Sequence, residues 1–144
     1  MGFKILIAED EEITLKHLLS TLQKEGYEVS GCSNGLKALE RVEDENFDVL
    51  IADIKMPGLT GIELLEKINA NSELKMQCLP FIFLTNSATP EDIEHAYSLV
   101  AQGYFQKPIS LSELSEIFKT IVGYWNMARI PRDTFNHQHG RHHF

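Results

Sequence analysis

Five side chains far apart in the 144-residue sequence could do chemistry together: Glu9, Asp10, Asp53, Thr85 and Lys107. Each stands at or just past the end of a short strand-like run. Glu9 and Asp10 follow Phe-Lys-Ile-Leu-Ile-Ala, Asp53 follows Phe-Asp-Val-Leu-Ile-Ala, Thr85 follows Leu-Pro-Phe-Ile-Phe-Leu, and Lys107 follows Tyr-Phe-Gln. Gathered in one place, three carboxylates could not all ionise unaided. A divalent cation resolves the conflict. Oxygen donors without sulfur or a histidine pair favour Mg2+, which keeps several waters and uses one or two carboxylates plus phosphate. The Lys107 ammonium and Thr85 hydroxyl suit the spread negative charge of a phosphoryl group, for which the Asp53 carboxylate is the candidate nucleophile. Singly these residues have plainer readings. Asp53 alone is a turn-forming acid at a strand end, and Glu9-Asp10 alone complements a helix dipole.

What must position them is a sheet. Apolar runs over residues 3–8, 27–32, 47–52, 79–84 and 104–106 read as five short strands. Helical patterns separate them. Leu15, Leu18, Leu19 and Leu22 make one stripe closed by Gly26, and residues 34–45 put Leu36, Leu39 and Val42 on an inner face. Thr60-Gly-Ile-Glu63 is a capping box opening a helix to residue 70. Thr89-Pro90 starts the next, ending near residues 102–103, and Ser110-Leu-Ser-Glu113, a second capping box, starts the last, with Leu114, Ile117, Phe118 and Ile121 inward. Residues 71–78 read as a slightly lengthened connection. Five βα units predict an α/β, flavodoxin-like, doubly wound five-stranded parallel sheet of order 2-1-3-4-5 with helices on both faces. In such a sheet ligands bind beyond the strands' carboxyl ends, where the five polar residues fall.

Composition narrows the classes. Lys plus Arg is 13 against 21 Asp plus Glu, a net charge of −8 that argues against a nucleic-acid surface. With 43% apolar and 24% charged residues the chain is ordinary for a folded protein, and no run is long and apolar enough to span a membrane. No signal-peptide pattern opens the sequence, and Cys32 and Cys78, read as packing residues, lack metal-type spacing; a cytoplasmic location is expected.

The segments Ile7-Ala-Glu9-Asp10-Glu11, Asp53-Ile-Lys-Met-Pro57-Gly-Leu-Thr-Gly61, Leu84-Thr85-Asn-Ser and Lys107-Pro108 resemble the receiver domain of two-component response regulators. The resemblance covers residues 3 to about 123. It implies that Asp53 accepts a phosphoryl group from a sensor histidine kinase or phosphotransfer protein in a Mg2+-dependent reaction, and that the domain catalyses only its own phosphorylation and dephosphorylation. It further implies that Asp10, Asp53 and the Lys55 backbone carbonyl hold the metal, with Glu9 acting through water. Thr85 and Lys107 are expected on the phosphoryl oxygens, a cis peptide at Lys107–Pro108, and Thr85 with Tyr104 as the switch to a face built on the fourth helix, fifth strand and fifth helix. The 32-residue spacing from Asp53 to Thr85 and the tail from Tyr124-Trp125 to Ile130-Pro131 are similar to stand-alone regulators that partner phytochrome-like kinases.

Two other functions compete: a pseudo-receiver that binds a partner without phosphorylation, and a Mg2+-dependent aspartyl-phosphate phosphatase. The complete acid, Thr and Lys set argues against the first. Lys55, where such phosphatases carry a second acid, argues against the second. Domain limits are expected at 1–123, with a C-terminal extension over 124–144, helical and then disordered. Tyr124, Trp125, Met127 and Ile130 are too apolar to face water, so that extension, or the helix-strand-helix face, is expected to form a homodimer or dock a partner. His17 and His95 are expected on exposed helix surface, and His137, His139, His142 and His143 in a solvated tail. The chain is either a stand-alone regulator or a piece of a longer protein.

Three positions depart from the family pattern: Glu9 for the commoner Asp, the bulky Asn86 after Thr85, and Lys55 beside the acceptor. Lys55 and Ser87 are predicted to set the lifetime of the phosphorylated state. The aspartyl-phosphate half-life should change in Lys55→Ala or Ser87→Ala, and unaltered decay in both refutes the assignment.

Overall fold

The computed structural model describes residues 3–131. Strands β1 (Lys4–Ala8), β2 (Glu28–Cys32), β3 (Val49–Ala52), β4 (Phe81–Thr85) and β5 (Gly103–Gln106) alternate with helices α1 (Glu12–Lys24), α2 (Gly35–Asp44), α3 (Gly61–Ala70), α4 (Ser72–Met76), α5 (Pro90–Ser98) and α6 (Leu111–Met127). All strand pairs are parallel, in the order β2-β1-β3-β4-β5. This is the flavodoxin-like doubly wound sheet that the βα alternation predicts.

Every residue of β3 and β4 is buried, as a parallel sheet covered on both faces requires. Period-two alternation sorts their side chains into two cores. Ile5, Ile7, Val49, Ile51, Ile82 and Leu84 pack with Leu18 and Leu22 of α1 and Leu114, Phe118 and Ile121 of α6. Leu6, Ala8, Leu50, Ala52, Phe81 and Phe83 pack with residues of the other four helices, among them Ala38, Leu64, Leu74 and Ala96. Each fully buried Leu, Ile or Phe contributes about 1.5–3 kcal/mol relative to exposure. Register then sets the site: Ala8 lies beside Ala52 and Thr85 beside Gln106, so the residues just past β1, β3 and β5 emerge on one edge.

The caps sit where the sequence puts them. Asn34, Thr60, Thr89 and Ser110 each accept a backbone N–H of the first helical turn, and at α3 the reciprocal Glu63 bond completes the box. Several details differ from the sequence-based reading. The lengthened connection over residues 71–78 holds a short helix that the sequence reading does not name, α4, capped by Asn71 and with Leu74 buried on its inner side. Leu36 is 53% exposed instead of inward. Gly35 lies so close to the Leu59 carbonyl that a Cβ would stand 2.2 Å from it, which turns Ala38 and Val42 to the core and lays Leu36 over Gly58. Helix α5 stops at Ser98, and Val100 takes a positive φ of 67° before β5 begins.

Helix α6 continues without a break past residue 123 to Met127. Trp125 packs against the α1–α6 core, while Tyr124 and Met127 stay 64% and 83% exposed. His17 is half-buried, not surface: its Nε2 lies 2.6 Å from Ser115 Oγ, tying α1 to α6. His95 is exposed and stands 3.6 Å from Glu66. The four tail histidines lie outside the described residues. Among the described residues no helix is long and apolar enough to cross a membrane.

The two thiols also part company. Cys32 is buried at the end of β2, and burial pushes its thiol up to about 11 despite the opposing pull of Arg41 and Lys37. Cys78 is exposed, so the packing role expected of it does not hold. Iodoacetamide at mildly alkaline pH should therefore modify Cys78 in the native protein and Cys32 only after denaturation. Peptide mass mapping reads the result, and equal native labelling of both would contradict the buried placement of Cys32.

Candidate functional site

The sheet's hydrogen-bond ladder runs one step past the strands and fixes the backbone of the site. Glu9 N–H donates to Cys32 O at 3.0 Å, Asp53 N–H to Ala8 O at 3.0 Å, and Lys107 N–H to Thr85 O at 2.8 Å. The side chains then meet in a cleft of about 420 Å3 lined by Glu9, Asp10, Glu11, Asp53, Lys55, Thr85, Asn86, Ser87 and Lys107. All five residues singled out first are there, with Lys55 beside them.

Asp53 is the centre. Its Oδ1 accepts from the Thr85 hydroxyl at 2.6 Å and from the Ile54 N–H at 2.6 Å, and its Oδ2 accepts from Lys107 Nζ at 2.7 Å. The same ammonium donates to Glu9 Oε1 at 2.5 Å, and Glu9 Oε2 takes the Glu11 N–H at 3.0 Å. Glu11 in turn accepts from the Thr14 hydroxyl. The Glu9, Asp53 and Lys107 side chains are all nearly inaccessible, whereas Asp10 is exposed.

Three carboxylates thus face one ammonium. Burial pushes the Glu9 carboxyl above its usual range, and its bonds from Lys107 and the Glu11 N–H pull it only partway back. Burial alone would lower the Lys107 pKa; its hydrogen bonds to Asp53 and Glu9 outweigh that and hold it above the usual lysine range. Carboxylate oxygens of Glu9, Asp10 and Asp53 lie within 4.8 Å of one another. A compact all-oxygen set with surplus negative charge fits a hard divalent cation.

Gly61 is a residue that chemistry-based reading of the sequence does not single out. Its N–H donates to Ile54 O at 2.8 Å, seating the start of α3 under the loop that carries Asp53. Its place inside the Thr60–Glu63 capping box is the signal. Pro57-Gly58 makes the turn between them, with Gly58 at a φ of 80°. Tyr104 does not line the cleft. It is half-buried against Phe83, with ring centroids 5.8 Å apart, and its hydroxyl donates to Ser87 O at 2.7 Å. Ser87 N–H reaches Thr85 Oγ1 at 3.3 Å, so the link to Tyr104 passes through Ser87. The expected cis peptide at Lys107–Pro108 is absent: the bond is trans, the intrinsically favoured X–Pro isomer, and the chain still delivers Lys107 Nζ to Asp53.

A doubly wound parallel sheet with this acid, hydroxyl and ammonium cluster at its carboxyl edge defines a receiver-type domain. Residues 5–119 match the family described as the response regulator receiver domain, and the chain belongs to that family. It is 34% identical over 122 residues to a probable transcriptional regulator, ycf29, of Pyropia yezoensis, a match covering 85% of this chain and 54% of that one. The chain therefore spans about half the length of that relative. Among solved structures it is similar to the phosphorylated cyanobacterial phytochrome response regulator RcpA, at 27% identity and a TM-score of 0.82 over 91% of this chain and 99% of that one. It is also similar to the receiver domain of the sensor histidine kinase PA1611 of Pseudomonas aeruginosa, which has a magnesium ion coordinated in its active-site cleft. There identity is 27% and the TM-score 0.70, over 85% and 99% of the two chains.

Gly61 gives a direct test of the site's framework. A Cβ there would stand 2.1 Å from the Asp53 carbonyl oxygen and 2.9 Å from the Phe83 ring. Gly61→Ala should cost about 1–3 kcal/mol, the usual cost of overpacking, read as a lower urea midpoint. A midpoint unchanged from wild type would show that α3 and the Asp53 loop are free to separate.

Proposed function

We propose that the domain accepts a phosphoryl group on Asp53 from the phosphohistidine of a sensor histidine kinase or phosphotransfer protein, in a Mg2+-dependent reaction. The observation that carries this reading is the pair of donors on Asp53: Thr85 holds one carboxylate oxygen and Lys107 the other, beside an open cleft. An Asp53 oxygen forms the bond to phosphorus while the phosphorus–nitrogen bond breaks and its electron pair stays on the imidazole. Thr85 and Lys107 are placed to follow the charge from the carboxylate onto the phosphoryl oxygens.

Glu9, Asp10, Asp53 and the Lys55 carbonyl would hold the Mg2+, as PA1611 supports by carrying magnesium in the corresponding cleft. Bound there, the ion offsets the negative charge that acids and phosphate bring together. The domain catalyses only its own phosphorylation and dephosphorylation. Its output is a shift of conformational population passed from Thr85 to Tyr104 and the face of α5, β5 and α6, where a protein partner or a second copy docks. The likeness to RcpA makes a phytochrome-type kinase the donor to test first. A cytoplasmic location belongs to the same reading, supported by two unpaired cysteines.

The test is incubation with acetyl phosphate and Mg2+. One hydroxylamine-labile phosphate should appear, absent in Asp53→Asn and absent when Mg2+ is chelated. No adduct supports the pseudo-receiver instead, and many turnovers of donor per chain support the phosphatase.

A further inference from the structure

We propose that Asp92, in the first turn of α5, is a positioning residue for phosphoryl acceptance at Asp53 and acts through Ser87. The proposal rests on the phosphoryl reading of the cleft. Thr89 caps α5 and Pro90 opens it, so Asp92 is the third helical residue. An acid there ordinarily turns back to the capping residue's own N–H, as Glu63 does to Thr60 at 2.9 Å. Helix α5 has no such return bond among the described residues. Asp92 Oδ2 accepts instead from the Ser87 hydroxyl at 2.5 Å.

That diversion matters because all three polar groups of Ser87 are then in use. The hydroxyl is on Asp92, the N–H on Thr85 Oγ1 at 3.3 Å, and the carbonyl accepts from Tyr104 at 2.7 Å. Thr85 is only 1% exposed, so its hydroxyl has no water to choose; it accepts from Ser87 and donates to Asp53 at 2.6 Å. Carboxylate acceptors make the Ser87–Asp92 and Thr85–Asp53 bonds the strong members of this chain. The Ser87–Asp92 bond fixes Ser87 itself, whose N–H, in the peptide to Asn86, meets the Thr85 hydroxyl and whose carbonyl, in the peptide to Ala88, is the acceptor for Tyr104. The fields of Asp92 and Asp53 both reach the Tyr104 hydroxyl and, after burial, add to the upward push on its pKa. Released from Asp92, the peptides on either side of Ser87 can turn and Thr85 loses the N–H that orients it.

The test compares Asp92→Ala, Ser87→Ala, the double variant and Asp92→Asn, which keeps an acceptor oxygen. The rate of Asp53 phosphorylation by acetyl phosphate with Mg2+ is measured for each. Each alanine should slow the reaction about fivefold, the worth of one orienting hydrogen bond. The double variant should be no slower than either single one, since both remove the same interaction. Asp92→Asn should stay within about twofold of wild type, a rescue that general loosening of α5 would not give. An unchanged rate in Asp92→Ala, multiplied losses in the double variant, or Asp92→Asn as slow as Asp92→Ala would overturn the proposal.

Failure of wild type to gain phosphate on Asp53 is a different result and sinks the reading of the cleft. The clasp is then decided by backbone amide NMR of the unphosphorylated protein. Asp92→Ala must move the Thr85, Ser87 and Tyr104 amides as Ser87→Ala does; unmoved amides overturn it.

Discussion

Lys107 is clamped between two carboxylates, Glu9 and Asp53, in a site almost closed to solvent. Everything functional in the domain depends on that arrangement. A lone ammonium or carboxylate at such depth would be strongly disfavoured, and breaking a buried pair typically costs about 3–5 kcal/mol. The Asp10 carboxylate stands in the same oxygen cluster, within 4.8 Å of the two acids that Lys107 clamps. A cleft built this way keeps three carboxylates together around one buried ammonium.

The sheet supplies the precision. No two of Glu9, Asp53, Thr85 and Lys107 are near in sequence, and no local preference could bring them together. Parallel pairing in register does so, by placing Ala8 beside Ala52 and Thr85 beside Gln106 and continuing the ladder one residue further. The helices hold this edge rigid from outside. The Thr60–Glu63 box starts α3 at the point where Gly61 lets the helix touch the Asp53 backbone. The core is thus part of the site: it fixes the spacing that the charges need.

The site is wired to its surroundings by few bonds, and their order is informative. Among the described residues, Ser87 carries the hydrogen-bonded link from Thr85 to the Tyr104 hydroxyl and is also the residue that α5 holds. A second link is direct, since Lys107 on Asp53 follows β5 and its N–H bonds the Thr85 carbonyl. The exposed Tyr124 and Met127 lie on α6, next to a groove of about 580 Å3 that Phe105, Ile117 and Trp125 help to line. Strand, helix and loop together give this side of the molecule both a hydrogen-bonded link to the cleft and an apolar surface.

Much of this was legible in the sequence, and for a definite reason. Strand runs, capping residues and the polar residue at each strand end are written locally, in period two, period 3.6 and short cap motifs. Asp53, Thr85, Lys107, Glu9 and Asp10 could be chosen because their chemistry makes sense only as a set. Three features were not legible. Leu36 carries a helix-face pattern, yet Gly35 packing on Leu59 turned it outward. His17 looked like a surface residue until α6 arrived beside it. Asp92 carries no signal in the sequence, and only the fold placed the Ser87 hydroxyl within its reach. The sequence by itself determined the elements, their order and the chemical types at the sheet's edge, since these follow from neighbours along the chain. Tertiary structure alone decided which donor faces which acceptor, because those distances depend on contacts between segments dozens of residues apart.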